Sequence, residues 1–211
     1  MYLKKSMIKN NKNKKGFTLI ELLVVIAIIA ILDVVVVLTL NPAELLRQAR
    51  DSNRISDFAT LKSALGLYAE DVNTTTAMYG NTSTVHLYAT SGAVTSTSAT
   101  YIGAANGYYG FSSSTNTYAV IVSSTSRGVD GTGWMPINFN AISSGAPLGS
   151  LPVDPSNSGA NIYVYAATST SYKLATKMES SKYGFNGTND VVSSDGGANT
   201  STYEQGSNMQ L

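Results

Sequence analysis

The sequence predicts an α+β chain in which a long N-terminal α-helix, apolar in its first half and amphipathic in its second, packs on a C-terminal antiparallel β-sheet. Three observations predict it. Residues 17–40 form an apolar run broken only by Thr18, Glu21, Asp33 and Thr39. Across residues 42–68 the apolar side chains return every three to four positions, the spacing of a one-faced helix. Beyond Asp71 the pattern changes to short β-branched and aromatic runs between stretches of Gly, Ser, Thr and Asn. The chain divides accordingly into a basic leader (1–16), a hydrophobic helix (17–40), an amphipathic helix (41–71) and a Ser/Thr-rich sheet domain (72–211).

The leader is defined by charge. Six of the fourteen basic residues, Lys4, Lys5, Lys9, Lys12, Lys14 and Lys15, fall in the first fifteen positions, which hold no acid. From Phe17 onward eight basic residues face thirteen acidic ones, a net charge of −5. That mildly acidic body carries no electrostatic footprint for nucleic acid. The basic head reads as the cytoplasmic flank of a membrane segment.

The apolar run is long enough to be that segment. As a helix its 24 residues reach about 36 Å, against a hydrocarbon layer of ~30 Å. Its eighteen Leu, Ile, Val and Phe residues favour insertion by about 8 kcal/mol, while two central acids cost about 2.5–3.5 kcal/mol each. Insertion wins, but Glu21 and Asp33 erode the margin and need a reason. A cleaved secretory signal would have a shorter apolar region ending at a small-residue site. Here the small residue, Gly16, precedes the run.

Taken together, Lys14-Lys15-Gly16, the aromatic Phe17 and Thr18-Leu19-Ile20-Glu21 resemble the processing and methylation motif of the type IV pilin and type II secretion pseudopilin superfamily. The resemblance covers some 25 residues. It implies that a membrane-embedded prepilin peptidase cuts after Gly16 and methylates the new amine of Phe17. It also implies that an assembly platform and its ATPase draw the mature subunit from the cytoplasmic membrane into an extracellular homo-oligomeric filament. Physical reasoning gives Glu21 a matching role. A lone carboxylate among apolar helices is costly, and the cationic amine of a cleaved Phe17 on a neighbouring subunit relieves it. Pairing within one chain, or a protonated Glu21, remains open beside it. Asp33 departs from the family's apolar pattern; a second intersubunit contact, a point of helix melting and a residue near the outer interface are equal readings.

Val34-Val35-Val36-Val37 has low helix propensity, and Asn41-Pro42-Ala43-Glu44 follows. Asn41 suits an N-cap, Pro42 the first helical position and Glu44 a capping box. A helix break at Asn41 and Pro42 is therefore expected, either as two helices or as one kinked helix. Pilins carry a proline in this neighbourhood, and here it stands somewhat later than usual. On the amphipathic helix Leu45, Leu46, Ala49, Ile55, Phe58, Leu61, Leu65 and Tyr68 form the packing face. Arg47, Arg50, Asp51, Arg54, Asp57 and Lys62 are expected on the solvated one, with salt bridges between subunits as the alternative.

In the sheet domain, segments 86–90, 117–124, 134–139, 161–167 and 171–177 read as strands, the last two as a hairpin around Thr168-Ser169-Thr170. The loop 91–117 reads as surface-exposed. The Pro-x-Asp-Pro stretch at 152–155 resembles a segment of major pseudopilins and of some Gram-positive-type pilins, and reads as a turn. Asn186, Asp190 and Asp195-Gly196-Gly197 raise calcium, with Asp190 and Asp195 as candidate ligands; their spacing matches no EF-hand, so no cofactor is the simpler expectation. Asn73, in an Asn-x-Thr triplet, is a candidate glycosylation site.

An enzyme finds little support. His86 is the single histidine and there is no cysteine, which removes thiolate chemistry and strains any histidine-based triad or metal site. No phosphate loop or dinucleotide fingerprint is present. The readings carried forward are a pilus subunit, a secretion pseudopilin and a membrane-anchored surface protein that does not polymerise.

Overall fold

The computed structural model describes residues 16–72, 85–90, 118–197, 199–209 and 211. The candidate glycosylation site Asn73, the loop 91–117 and the leader up to Lys15 lie outside these residues. The chain is α+β and forms two units, residues 1–42 and 43–211.

In the first unit, α1 runs Leu19–Leu40. Its large apolar side chains are exposed, from Phe17 at 89% just before it to Leu40 at 58%. No described residue of this unit covers them, so the apolar surface calls for a bilayer or other helices. Thr39 turns its hydroxyl back onto the Val35 and Val36 carbonyls, as a hydroxyl in an apolar helix must. Asn41 closes α1 in the left-handed conformation, φ 41° and ψ 72°. The following Pro42 disfavours helical backbone at its predecessor, and Asn tolerates the left-handed alternative. The chain thus has two helices at this point. Asn41 is the C-cap of the first rather than a helical N-cap, and α2 begins at Pro42.

In the second unit, α2 (Pro42–Asp71) lies on a sheet of five strands among the described residues: β1 (Val85–Ala89), β2 (Tyr118–Ser123), β3 (Val164–Ala167), β4 (Tyr172–Thr176) and β5 (Tyr203–Gly206). Their spatial order is β2-β1-β3-β4-β5. Four of them, β1, β3, β4 and β5, pair antiparallel. β2 departs from the expected pattern by running parallel to β1 at one end of the sheet. Tyr165 stands opposite Tyr88 on one side and Leu174 on the other, fixing the register of the central strands.

The alternation of β3 sorts the core into two faces. Tyr163, Tyr165 and Ala167 join Phe58, Leu61, Ala64, Leu65 and Tyr68 of α2 in the larger cluster. Ile162, Val164 and Ala166 join Leu87, Ala89, Ala175 and Leu211 in a smaller one. Phe58 meets the Tyr163 ring edge-on at 5.1 Å and stacks on Tyr203 at 5.7 Å. Burying each large side chain contributes roughly 1.5–3 kcal/mol.

Residues 134–139 are not a strand. Pro136 has no N–H to give a ladder, and the segment ends in a 3₁₀ turn at Phe139–Ala141. Its apolar side chains still enter the core: Trp134, Met135, Ile137 and Phe139 are buried, and the Trp134 indole donates to the Pro152 carbonyl at 2.9 Å.

Candidate processing and assembly segment, and the ion pairs of the head

The segment from Gly16 to Val25 presents the residues singled out by the sequence. Gly16 and Phe17 precede the helix in non-helical backbone, and Phe17 is almost wholly exposed. Thr18 is the N-cap of α1, and Glu21 stands at the third helical position. The Thr18 hydroxyl accepts from the Glu21 N–H at 3.3 Å, and Glu21 Oε2 accepts from the Thr18 N–H at 2.8 Å and its hydroxyl at 2.6 Å. This reciprocal capping box satisfies donors that a helix start otherwise leaves orphaned. The Thr-x-x-Glu spacing was its signal in the sequence, overshadowed there by the charge of Glu21. Phe17, Ile20, Glu21, Val24 and Val25 line a shallow apolar groove in which Glu21 supplies the only charge. Asp33 lies exposed on α1, twelve residues further along.

In uncut chain the nitrogen of Phe17 is an amide, so Glu21 has only local hydrogen-bond partners in its own turn. Cleavage after Gly16 would turn that nitrogen into an amine beside the cap. The arrangement keeps a carboxylate at the start of the helix, where the helix dipole favours it. It offers no nucleophile or general base aimed at a substrate.

The head holds a second polar constellation, which reverses one expectation. Asp51 and Arg54, assigned to the solvated face of α2, are fully buried, whereas Leu45 and Leu46 are 51% and 62% exposed. Arg54 forms a two-pronged pair with Asp154, Nε to Oδ2 at 2.7 Å and Nη2 to Oδ1 at 2.9 Å. Its Nη1 reaches Asp51 at 2.6 Å, and Nη2 also reaches Glu179. Arg50 grips Glu179 through Nη2 at 2.6 Å and Nε at 3.1 Å.

Two guanidiniums against three carboxylates leave one negative charge, which main-chain donors meet. Asp51 accepts from the Glu179 and Ser180 N–H groups, and Asp154 from those of Ser156 and Asn157. A buried cluster is tolerable only when its members are satisfied in this way. Burial pushes the Arg54 pKa down, but its bonds to Asp154, Glu179 and Asp51 outweigh this and raise it. The Arg50 bond leads in holding Glu179 down to about 2. The Asp154-Pro155 turn is thus also an anchor for α2.

Two further pairs were not foreseen. The Tyr163 hydroxyl donates to Asp57 at 2.6 Å; burial raises both pKa values, and for Asp57 the bond pulls the other way. Lys173 and Glu204, both buried, pair at 2.8 Å across β4 and β5. Burial pushes the Glu204 carboxyl up against the pull of Lys173.

Asp190 and Asp195 act as turn formers. Asp190 accepts from the Asn186, Val192 and Ser193 N–H groups, the first of which holds it down less than the Ser193 hydroxyl and N–H do, to about 2. Asp195 accepts from the Gly197 and Glu204 N–H groups. Among the described residues no group of three or more His, Asp or Glu is placed to hold a metal ion. His86 lies on β1.

Comparison with known proteins assigns the N-terminal segment. Residues 11–32 match the prokaryotic N-terminal methylation motif, the signature of type IV pilins and pseudopilins. The matched motif belongs to structural subunits and not to an enzyme family. Neither the curated proteins nor the solved structures contain a match to this chain.

Proposed function

We propose that this chain, a prepilin-like protein by its methylation motif, is the structural subunit of a type IV pilus. The precursor inserts into the cytoplasmic membrane through α1, whose stretch Leu19–Val37 is long and apolar enough to cross. A prepilin peptidase cuts after Gly16 and methylates Phe17, and the platform and its ATPase polymerise the product into a surface filament. Adhesion, twitching motility or DNA uptake would be its task. The observation that carries this reading is the match at residues 11–32 on a helix whose apolar side chains are uncovered in the monomer unit. Glu21 is its assembly contact: in a filament the carboxylate exchanges its local cap for the Phe17 amine of a neighbouring subunit.

The test is the N-terminus and mass of the chain recovered from sheared filaments. An N-methylated Phe17 in an extracellular polymer is the expected result. Recovery of membrane-bound monomer with the Gly16–Phe17 bond intact would sink the proposal. Gly16→Arg should leave the precursor uncut in the membrane, and Glu21→Ala should be cut yet yield few filaments.

The matched motif serves pseudopilins equally, and the Pro-x-Asp-Pro turn at 152–155 resembles theirs. The Ser/Thr-rich exterior favours an exposed pilus. Loss of a secreted enzyme from the medium of a deletion strain, with no loss of long filaments, would decide for the pseudopilin.

A further inference from the structure

Four large apolar residues of the head are exposed among those described: Leu45, Leu46, Leu67 and Phe185. Isolated exposed apolar residues need no explanation, but three of these four gather at one end. Leu45 and Leu46 lie in the first turn of α2. Phe185 belongs to the turn 180–190, which is fastened to that same helical turn: Ser181 donates to Glu44 Oε1 through its N–H at 2.7 Å and its hydroxyl at 2.8 Å.

The turn is built to hold its shape. The Gly184 N–H bonds the Ser180 carbonyl, Gly187 bonds Gly184, and Asn189 bonds Lys182. Gly187 packs so closely that a Cβ there would collide with the main-chain oxygens of Ser181 and Lys182. Phe185 stands at the tip, 53% exposed, with Lys182 over the Tyr183 ring at 5.1 Å. The acids nearby all hold protein donors: Glu44 those of Ser181, Glu179 those of Arg50 and Arg54, Asp190 those of its own loop.

Covalent reach places this end. Glu44 follows Leu40 by four residues, which span at most about 14 Å even when fully extended. Glu44, the anchor of Ser181, therefore lies within that reach of the end of α1. Aromatic rings with a cationic neighbour suit the boundary between headgroups and acyl chains. A site tethered there needs little affinity of its own, because its effective concentration at the membrane is already high.

We propose that the turn 181–187, led by Phe185 and supported by Tyr183 and Lys182, docks on the interfacial layer of the membrane that α1 spans. It would seat the head on the bilayer before assembly and release it when the subunit enters the filament. The proposal rests on the reading that α1 spans the membrane in the precursor.

The cysteine-free chain allows a direct test. Single cysteines replace Thr188 beside the tip, Thr170 in the β3–β4 hairpin and Ile29 in α1. Each full-length variant carries a nitroxide and is reconstituted in phosphatidylethanolamine–phosphatidylglycerol vesicles. Collisions with oxygen and with a water-soluble nickel chelate then report depth. The expected result is several-fold lower nickel accessibility at 188 than at 170, abolished when Phe185→Asp is added. Equal accessibility at 188 and 170, with the label at 29 still deep, would overturn the docking while leaving the membrane span intact. A water-exposed label at 29 would overturn the span and the docking together. Protection at 188 that arises only in filaments would overturn the proposal in favour of a neighbouring copy as the occupant.

Discussion

Arg54 is the residue whose loss should cost the head most. It neutralises carboxylates contributed by Asp51, Asp154 and Glu179, and all of them except Glu179 are fully buried with it. Arg54→Ala should lower stability by about 3–5 kcal/mol, because Asp51 and Asp154 would stay buried without a guanidinium, while Glu179 keeps Arg50. Arg47→Ala, at an exposed pair with Glu44, should stay within about 0.5 kcal/mol. Urea unfolding of both full-length variants in detergent checks the contrast. Glu179 sets an acid limit. Its folded pKa of about 2 lies below the ordinary 4.5, so its contribution is complete above 4.5 and disappears as pH falls from 4.5 through 2. Glu179→Gln should be less stable at neutral pH yet lose less between those values. Comparing melting temperatures of the two proteins over that interval isolates the term from Glu204 and Asp57, whose raised pKa values act in the opposite direction.

These charges also show where sequence reading stops. An Asp and an Arg three apart on a helix look solvated because burial of either alone is costly. What reverses the assignment is a pair of partners 100 and 125 residues away from Arg54, and spacing along one helix carries no trace of them. The capping role of Glu21 was legible in principle, since its partner Thr18 lies three residues away.

At the scale of elements, local rules succeeded where local terms dominate. The hairpin of β3 and β4 falls around Thr168-Ser169-Thr170, and the face of α2 from Phe58 to Tyr68 is buried. They failed at 134–139, where apolar content suggested a strand and Pro136 withheld the donor. They also missed β5, whose Tyr203–Gly206 is too short and polar to declare itself. The parallel pairing of β2 depends on chain topology, to which side-chain alternation is blind. The junction at Asn41 yields a prediction. Pro42→Ala removes the ring that disfavours helix at Asn41 and restores an N–H. Amide exchange over residues 43–46 should then slow severalfold, and unchanged rates would show that Asn41 alone makes the break. For the turns around Asp190 and Asp195, whose oxygens already accept N–H groups, calcium and chelator should give the same melting temperature.

At the scale of the whole molecule, the two units answer to different solvents. The head has its own apolar core, while the first unit leaves its apolar residues uncovered. On the proposed processing, a change in the core of the head should therefore alter melting without altering cleavage after Gly16. Leu61→Ala, at a fully buried position, should cost about 2–5 kcal/mol while leaving the processed fraction in cells unchanged. A precursor that accumulated uncut in that variant would show that the peptidase senses the folded head. The methylation motif at residues 11–32 was legible, because it is a short, contiguous stretch of chain. The head was legible only in class, since its specificity lies in contacts between distant segments.

The clasp around Arg54 has a consequence in time. Its partners stand 100 and 125 positions further along the chain. Contacts of such separation form late, after the entropy of closing long loops has been met. Synthesis delivers α2 well before Asp154 and Glu179 exist. Until they arrive, Asp51 and Arg54 have each other and water. The clasp closes only when most of the polypeptide has been made, with β5 still to be added beside β4.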